Sequence, residues 1–271
     1  VTDGPVPETL PARPRPGTLF EVVVPTADSL AGGTVAGEPL HFVRRAGRWR
    51  AWAAAPVDSG EVTVAVVRCA RAGCDTLQRR VVLAPSPYRV ERLRVAPRFG
   101  APPDSATQAR IDAEFALARA VSRRAHATPV LWREPFRAPR ASRVTSGFGT
   151  GRSFNGRITS RHTGVDYAGA VGAPVLAANR GVVRLVGDLH YAGRAVYVDH
   201  GGGFVTAYFH LSAVAVLEGD TVARGQRVGA VGATGRVTGP HLHFVARYGE
   251  VSVDGRSLPG LAPPDRAGGR R

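Results

Sequence analysis

The chain has 271 residues, 44% of them hydrophobic, which is enough for two domains with buried cores, and it offers no run of about 18 apolar residues to cross a bilayer as a helix. Its 36 basic against 21 acidic side chains give a formal charge of +15, carried entirely by arginine because lysine is absent. Such a charge favours anionic partners, but the arginines are scattered with no block of five and no nucleic-acid module is recognisable, so nucleic acid is not an expected partner.

Residues 1–17 are rich in proline and read as a flexible segment. The start at Val1 in a chain without methionine fits an exported protein whose leader has been removed. From about 18 to 90 short strand-like runs recur between turn signals: LFEVVVP, EPLHFVRR, RWRAWAAAP, EVTVAVVRC and TLQRRVVLA. Their spacing predicts a small β-sandwich, with Phe20, Phe42, Trp49 and Trp52 filling its core. Cys69 and Cys74 bracket a glycine-containing tip, where a disulfide is favoured over a metal site because no further ligands lie nearby. A disulfide fits an oxidising compartment.

Residues 91–140 read as a linker containing one helix, about 104 to 125, begun by Pro103 and Asp104 and carrying Ile111, Phe115, Leu117, Ala118 and Val121 at roughly helical intervals. The prolines of WREPFRAPRAS mark a boundary near 140. From 141 to about 258 the chain is glycine-rich with many short strand-like runs, and 259–271 reads as a flexible tail.

Six of the eight histidines lie in this second half. His162 and Asp166 in RHTGVDYAG are an even spacing apart, and Gly164 with Val165 argues for an extended segment that puts both on one face. Imidazole plus carboxylate is an acceptable zinc pair, and a third ligand from a remote strand would leave one position open, as catalytic sites require. GPHLHF offers that ligand. His241 and His243, two apart, face the same way on a strand, so one can bind metal while the other faces a water and handles its proton. No HExxH is present, so acid-base work would fall to histidine.

HTGVD, YFHL and GPHLH, in this order between glycine-rich strands, resemble the lysostaphin-like or LytM-type M23 zinc endopeptidases, which hydrolyse bacterial cell walls. TSGFG, GAPVLAANRGVV, VDHGGGFVTAYFHL and EGDTVARGQRVGAVGATGRVTGPHLHF extend the resemblance over about 115 residues. It implies an antiparallel two-sheet β domain behind an accessory domain that looks immunoglobulin-like, the whole being mainly β. It implies His162, Asp166 and His243 as zinc ligands, and His241 and His210 as catalytic groups around the water and oxyanion. It further implies a peptidoglycan peptide substrate and a secreted or periplasmic location; a monomer is expected. Tyr208 alternates onto the face of His210 and could orient substrate, or simply pack. A closed, structural metal site would need a fourth ligand, for which Asn155 or His200 is available. His200 otherwise reads as architectural or groove-lining, and His41, His126 and His190 as isolated structural or surface residues.

Overall fold

The protein is described by a computed structural model covering residues 6–93, 103–154 and 158–261. Its N-terminal part is built from β1 (Glu8–Leu10), β2 (Leu19–Val24), β3 (Ser29–Val35), β4 (Glu38–Pro39), β5 (Val43–Arg45), β6 (Arg48–Ala54), β7 (Glu61–Ala70) and β8 (Gly73–Val82). They form two four-stranded antiparallel sheets, β1-β2-β6-β5 and β4-β3-β7-β8. The alternation in these strands decides which face is dry. Phe20, Val22 and Val24 of β2 meet Val62, Val64 and Val66 of β7 in one apolar cluster between the sheets. Cys69 and Cys74 are cross-strand partners at the β7–β8 tip and are disulfide-bonded.

β1 corrects the expectation of a flexible start: although Glu8–Leu10 precedes a run of prolines, it pairs with β2 and satisfies its backbone groups there. β3 was not legible either, because SLAGGTV has glycines where an alternating pattern would have side chains. Trp52 is a second correction. It packs against the core of the C-terminal part, joined from the same outer face of the sheet by Leu19 and its cross-strand partner Ala54.

After β9 (Val90–Leu93) comes the one helix among the described residues, α1 (Ser105–Arg124), whose N-terminus is capped by the Asp104 carboxylate accepting from Thr107 N–H at 2.7 Å. Ile111, Ala118 and Val121 are buried, whereas Phe115 and Leu117 are about half exposed. The proline-containing segment that follows is no loose boundary. Trp132 and Phe136 insert into the C-terminal core and stack edge-on with each other and with Phe204 and His200, because aromatic rings of this size gain most by burial.

The C-terminal part comprises β10 (Val144–Ser146), β11 (Gly151–Phe154), β12 (Ile158–Arg161), β13 (Val165–Ala168), β14 (Pro174–Leu176), β15 (Gly181–Leu189), β16 (Gly193–Gly201), β17 (Phe204–Phe209), β18 (Leu211–Val214), β19 (Thr221–Val222), β20 (Arg227–Val231), β21 (His241–Tyr248) and β22 (Val251–Val253). A large antiparallel sheet runs β10-β13-β21-β17-β16-β15-β19, with β22 also on β21, and a second sheet runs β14-β20-β18. A third, β12-β11-β9, contains the parallel pair β9–β11. One face of the large sheet builds the main core with Leu242, Phe244 and Tyr248. On the opposite face Ala118, Val121 and Ala125 of the α1 region pack against Tyr197, Val205, Ala207 and Val245. The expectation of a flexible tail from 259 is corrected for its first residues, because a 3-10 turn at Gly255–Gly260 buries Leu258 and Leu261; the rest of that stretch, residues 262–271, lies outside the described residues.

Candidate metal centre and active site

β13 and β21 are neighbours in a register that sets Asp166 opposite His243 and Ala168 opposite His241. Directly opposed residues share a face with Cβ atoms about 5 Å apart, so pairing alone brings the carboxylate and the imidazole together. His162 joins them from the turn before β13. Its N–H donates to the Thr150 carbonyl at 2.7 Å, and its carbonyl accepts from Gly149 N–H at 2.8 Å. Gly164 is required by close approach, since a Cβ there would lie 2.7 Å from His243 Nε2 and 2.6 Å from the Phe244 carbonyl. This accounts for the glycine in HTGVD.

The three side chains converge through chosen atoms. His162 Nδ1 donates to the Gly147 carbonyl at 2.7 Å, which leaves its Nε2 lone pair facing Asp166 Oδ1 at 2.8 Å and His243 Nδ1 at 2.9 Å. His243 Nδ1 also lies 2.7 Å from Asp166 Oδ1. All three residues are buried. Burial pushes the Asp166 carboxyl up, but hydrogen bonding and charge interaction with His162 and His243 outweigh it and hold the group well below the usual carboxylate range. A carboxylate and two ring nitrogens present more lone pairs than the available protons can satisfy. A cation that takes nitrogen and oxygen ligands fits this set.

His241 and His210 flank the cluster. His241 Nδ1 donates to the Gly239 carbonyl at 2.8 Å, and its Nε2 stands 3.7 Å from Asp166 Oδ1. His210 follows β17 with a positive φ of 64° that breaks the strand alternation, and its Nδ1 donates to the Thr234 carbonyl at 2.8 Å. The His210 ring lies 4.8 Å from that of His241 and 5.8 Å from that of His243, centroid to centroid. Burial, and then the nearby His243 and His241, hold His210 well below the ordinary imidazole value, so it is neutral at neutral pH. All five residues singled out in the sequence thus meet at one place. They line a cavity of about 960 Å³ to which, among the described residues, the sandwich contributes no side chain.

The remaining candidates fall elsewhere. His200 is fully buried on the far side of the sheet, with Nδ1 donating to the Arg180 carbonyl at 2.7 Å and Nε2 2.8 Å from Thr206 Oγ1, so neither nitrogen is free to bind metal. Asn155 lies outside the described residues. Tyr208 does not share a face with His210, because His210 itself takes the left-handed conformation and leaves the strand alternation; Tyr208 is packed in the core, where its hydroxyl accepts from Ala178 N–H at 2.7 Å. His41 and His126 are not isolated: their rings stack, Nε2 to Nδ1 at 2.9 Å, and His126 Nε2 lies 2.9 Å from Glu38. What sequence reasoning missed is the set of carbonyls of Gly147, Thr234 and Gly239, which orient three rings; main-chain groups leave no signature in residue identity.

The pattern of peptidase family M23 matches residues 160–255, which include all five residues. A Pseudomonas aeruginosa protein assigned to peptidase M23, known from its crystal structure, is 30% identical and superposes with a TM-score of 0.71 over 92% of this chain and 96% of its own. The chain belongs to peptidase family M23. Within the curated relatives, the Vibrio cholerae peptidoglycan DD-endopeptidase ShyA is 45% identical over 97 residues, 36% of this chain and 21% of that protein. The Neisseria meningitidis DD-carboxypeptidase/endopeptidase Mpg is 44% identical over 110 residues, 39% of this chain and 25% of its own. The matched part therefore spans only about a fifth to a quarter of these relatives. The M23 resemblance read from HTGVD, YFHL and GPHLH is borne out, and the α1 wall of the cavity lies outside the matched family pattern.

Proposed function

We propose that this M23 protein is a zinc-dependent endopeptidase that hydrolyses peptide cross-links of bacterial peptidoglycan. The observation that carries the proposal is the convergence of His162 Nε2, Asp166 Oδ1 and His243 Nδ1 beside two further imidazoles in one cavity. A zinc ion held by those three atoms supplies Lewis acidity to a peptide carbonyl and to a water. The chain's own groups handle the protons. His241 and His210 each spend Nδ1–H on a carbonyl, of Gly239 and Thr234, and so present Nε2 as an acceptor to the site. Two acceptors beside one centre suit removal of a proton from the attacking water. A ring that has taken it becomes a donor, able to hold the oxyanion and then to protonate the leaving amine.

The named activities of the curated relatives support a cell-wall peptide as substrate, and the net positive charge suits an anionic polymer. The Cys69–Cys74 disulfide supports a secreted or periplasmic location, and all five groups come from one chain, which suits a monomer. The sheet orders β1-β2-β6-β5 and β4-β3-β7-β8 correspond to A-B-E-D facing C′-C-F-G, which supports an immunoglobulin-like accessory domain over about 18–90 ahead of a peptidase domain over about 141–258.

The test is zinc content together with release of new amino termini from purified peptidoglycan, for the wild type beside His241→Ala. Zinc in both, with turnover lowered about 10²- to 10⁴-fold in the variant, is the expected result. Zinc in both with turnover in neither would instead indicate a silent or latent family member that binds the cell wall or activates another hydrolase.

A further inference from the structure

On β21 the alternation that aims His241 and His243 at the cavity also aims Val245 and Arg247 there, and all four line it. At about 3.3 Å per residue, the backbone of Arg247 stands about 13 Å beyond that of His243. α1 lies over this end: Ile111, Phe115 and Ala118 line the same cavity, with Phe115 about half exposed. The groove therefore has a metal end and an α1 end, the second combining apolar side chains with Glu114, Ser252 and Arg247.

Arg247 is poorly matched by its surroundings. Its hydrogen bond to protein runs from Nη1 to Ser122 Oγ on α1 at 3.3 Å, a long contact, while its Nε is buried with no hydrogen-bond partner. Among the described residues no carboxylate pairs with it. Glu114, the acidic side chain nearest in α1's wall, is already taken by Arg110 Nε at 2.7 Å and by the His190 N–H at 2.8 Å. The other arginines of the cavity differ: Arg161 pairs with Asp58, Arg236 lies over the Tyr191 ring at 4.1 Å, and Arg143 is exposed at the rim. A half-buried guanidinium without a counter-charge is costly, and an incoming carboxylate that accepts from its fork would relieve that cost.

We propose that Arg247 is a specificity-determining residue that binds a carboxylate of the substrate at the α1 end of the groove, with the aliphatic part of the peptide lying against the half-exposed ring of Phe115. This rests on the peptidase reading above and deepens it: the preferred substrate is a cross-linked peptide with a free carboxylate on the α1 side of the scissile bond.

The test uses synthetic cross-linked stem peptides in which each free carboxylate is amidated in turn, cleaved by the zinc-loaded full chain and by Arg247→Met. Amidation at one position is expected to raise KM about tenfold for the wild type with kcat nearly kept, and Arg247→Met to treat that pair alike. A wild type indifferent to amidation at every position would overturn the proposal, as would a variant that still discriminates. Should Arg247→Met fail to fold, the wild-type series and Arg247→Lys, which keeps the charge without the fork, carry the same comparison. Should no peptide be cleaved at all, the endopeptidase reading fails, yet calorimetric binding of the same peptides to zinc-stripped protein still reads this site: equal affinity for free and amidated forms would exclude a carboxylate pocket.

Discussion

His210 adopts the left-handed backbone conformation at φ 64°, uncommon for a residue with a Cβ, though histidine is among those that tolerate it best. The turn aims its ring across the sheet at His241 instead of into the core beside Tyr208, so the conformation is part of how the site is assembled. His200 is the contrasting case. It is buried with both nitrogens bonded, and burial lowers its pKa from the ordinary 6.5 to about 4. The unfolded chain then binds a proton that the folded chain refuses, so stability falls as pH drops from about 6.5 towards 4 and levels off below that. The limiting loss is about 3 kcal/mol. Urea midpoints measured across this range should show it, and His200→Gln should flatten the slope; an unchanged slope would place the acid lability elsewhere. At this scale the five site residues were legible because each is a rare residue type in a motif. The environment that buries one imidazole with both nitrogens bonded and turns another towards the cavity was not, since it is set by neighbours distant in sequence.

The loop between β20 and β21 shows how an element controls the site. Thr234 supplies the carbonyl that holds His210, while its hydroxyl accepts from Arg194 N–H at 2.9 Å and donates to the Leu211 carbonyl at 3.1 Å. Next to it Gly235 has φ +73°, and a Cβ there would lie 2.4 Å from Gly193 N and 2.6 Å from the Tyr191 carbonyl. Gly235→Ala should therefore lift the loop and misplace His210, lowering turnover about 10²-fold while zinc content stays at the wild-type level. Metal loss in parallel with turnover would instead mean that the loop supports the ligands. α1 divides along similar lines. Its capping aspartate and apolar spacing are plain in PPDSATQARIDAEFALARAVSRRA, yet Phe115 and Ala118, equally apolar there, are separated only by the surface the helix meets.

Across the whole molecule the sandwich and the peptidase part are joined by a polar contact that neither sequence segment announces. Glu38 accepts from Glu250 N–H at 2.9 Å and pairs with His126, which in turn bonds His41, while the Tyr248 hydroxyl donates to the Pro39 carbonyl at 2.6 Å. Leu19, Trp52 and Ala54 add an apolar seam. With partners this buried, Glu38→Ala should cost about 1–3 kcal/mol. Calorimetry should register the loss as a lower first transition, or as separation of one transition into two. Because Glu38 lies away from the cavity, peptide hydrolysis at low temperature should be unaltered; a drop in activity would mean that the interface reaches the site.

Residue identity and spacing by themselves pointed to the strand-rich second half, the capped helix and the convergence of His162, Asp166 and the His241–His243 pair, because these follow from short-range periodicity and from the scarcity of histidine in fixed motifs, while the resemblance to M23 peptidases added His210 and the division of roles. Only the tertiary structure decided which ring nitrogens face inward, that Trp52, Trp132 and Phe136 serve the peptidase core, and that α1 and Arg247 line the cavity beside the metal-ligand cluster. Those outcomes depend on strand register, on main-chain carbonyls and on packing between segments distant in the chain, none of which leaves a local pattern in the sequence.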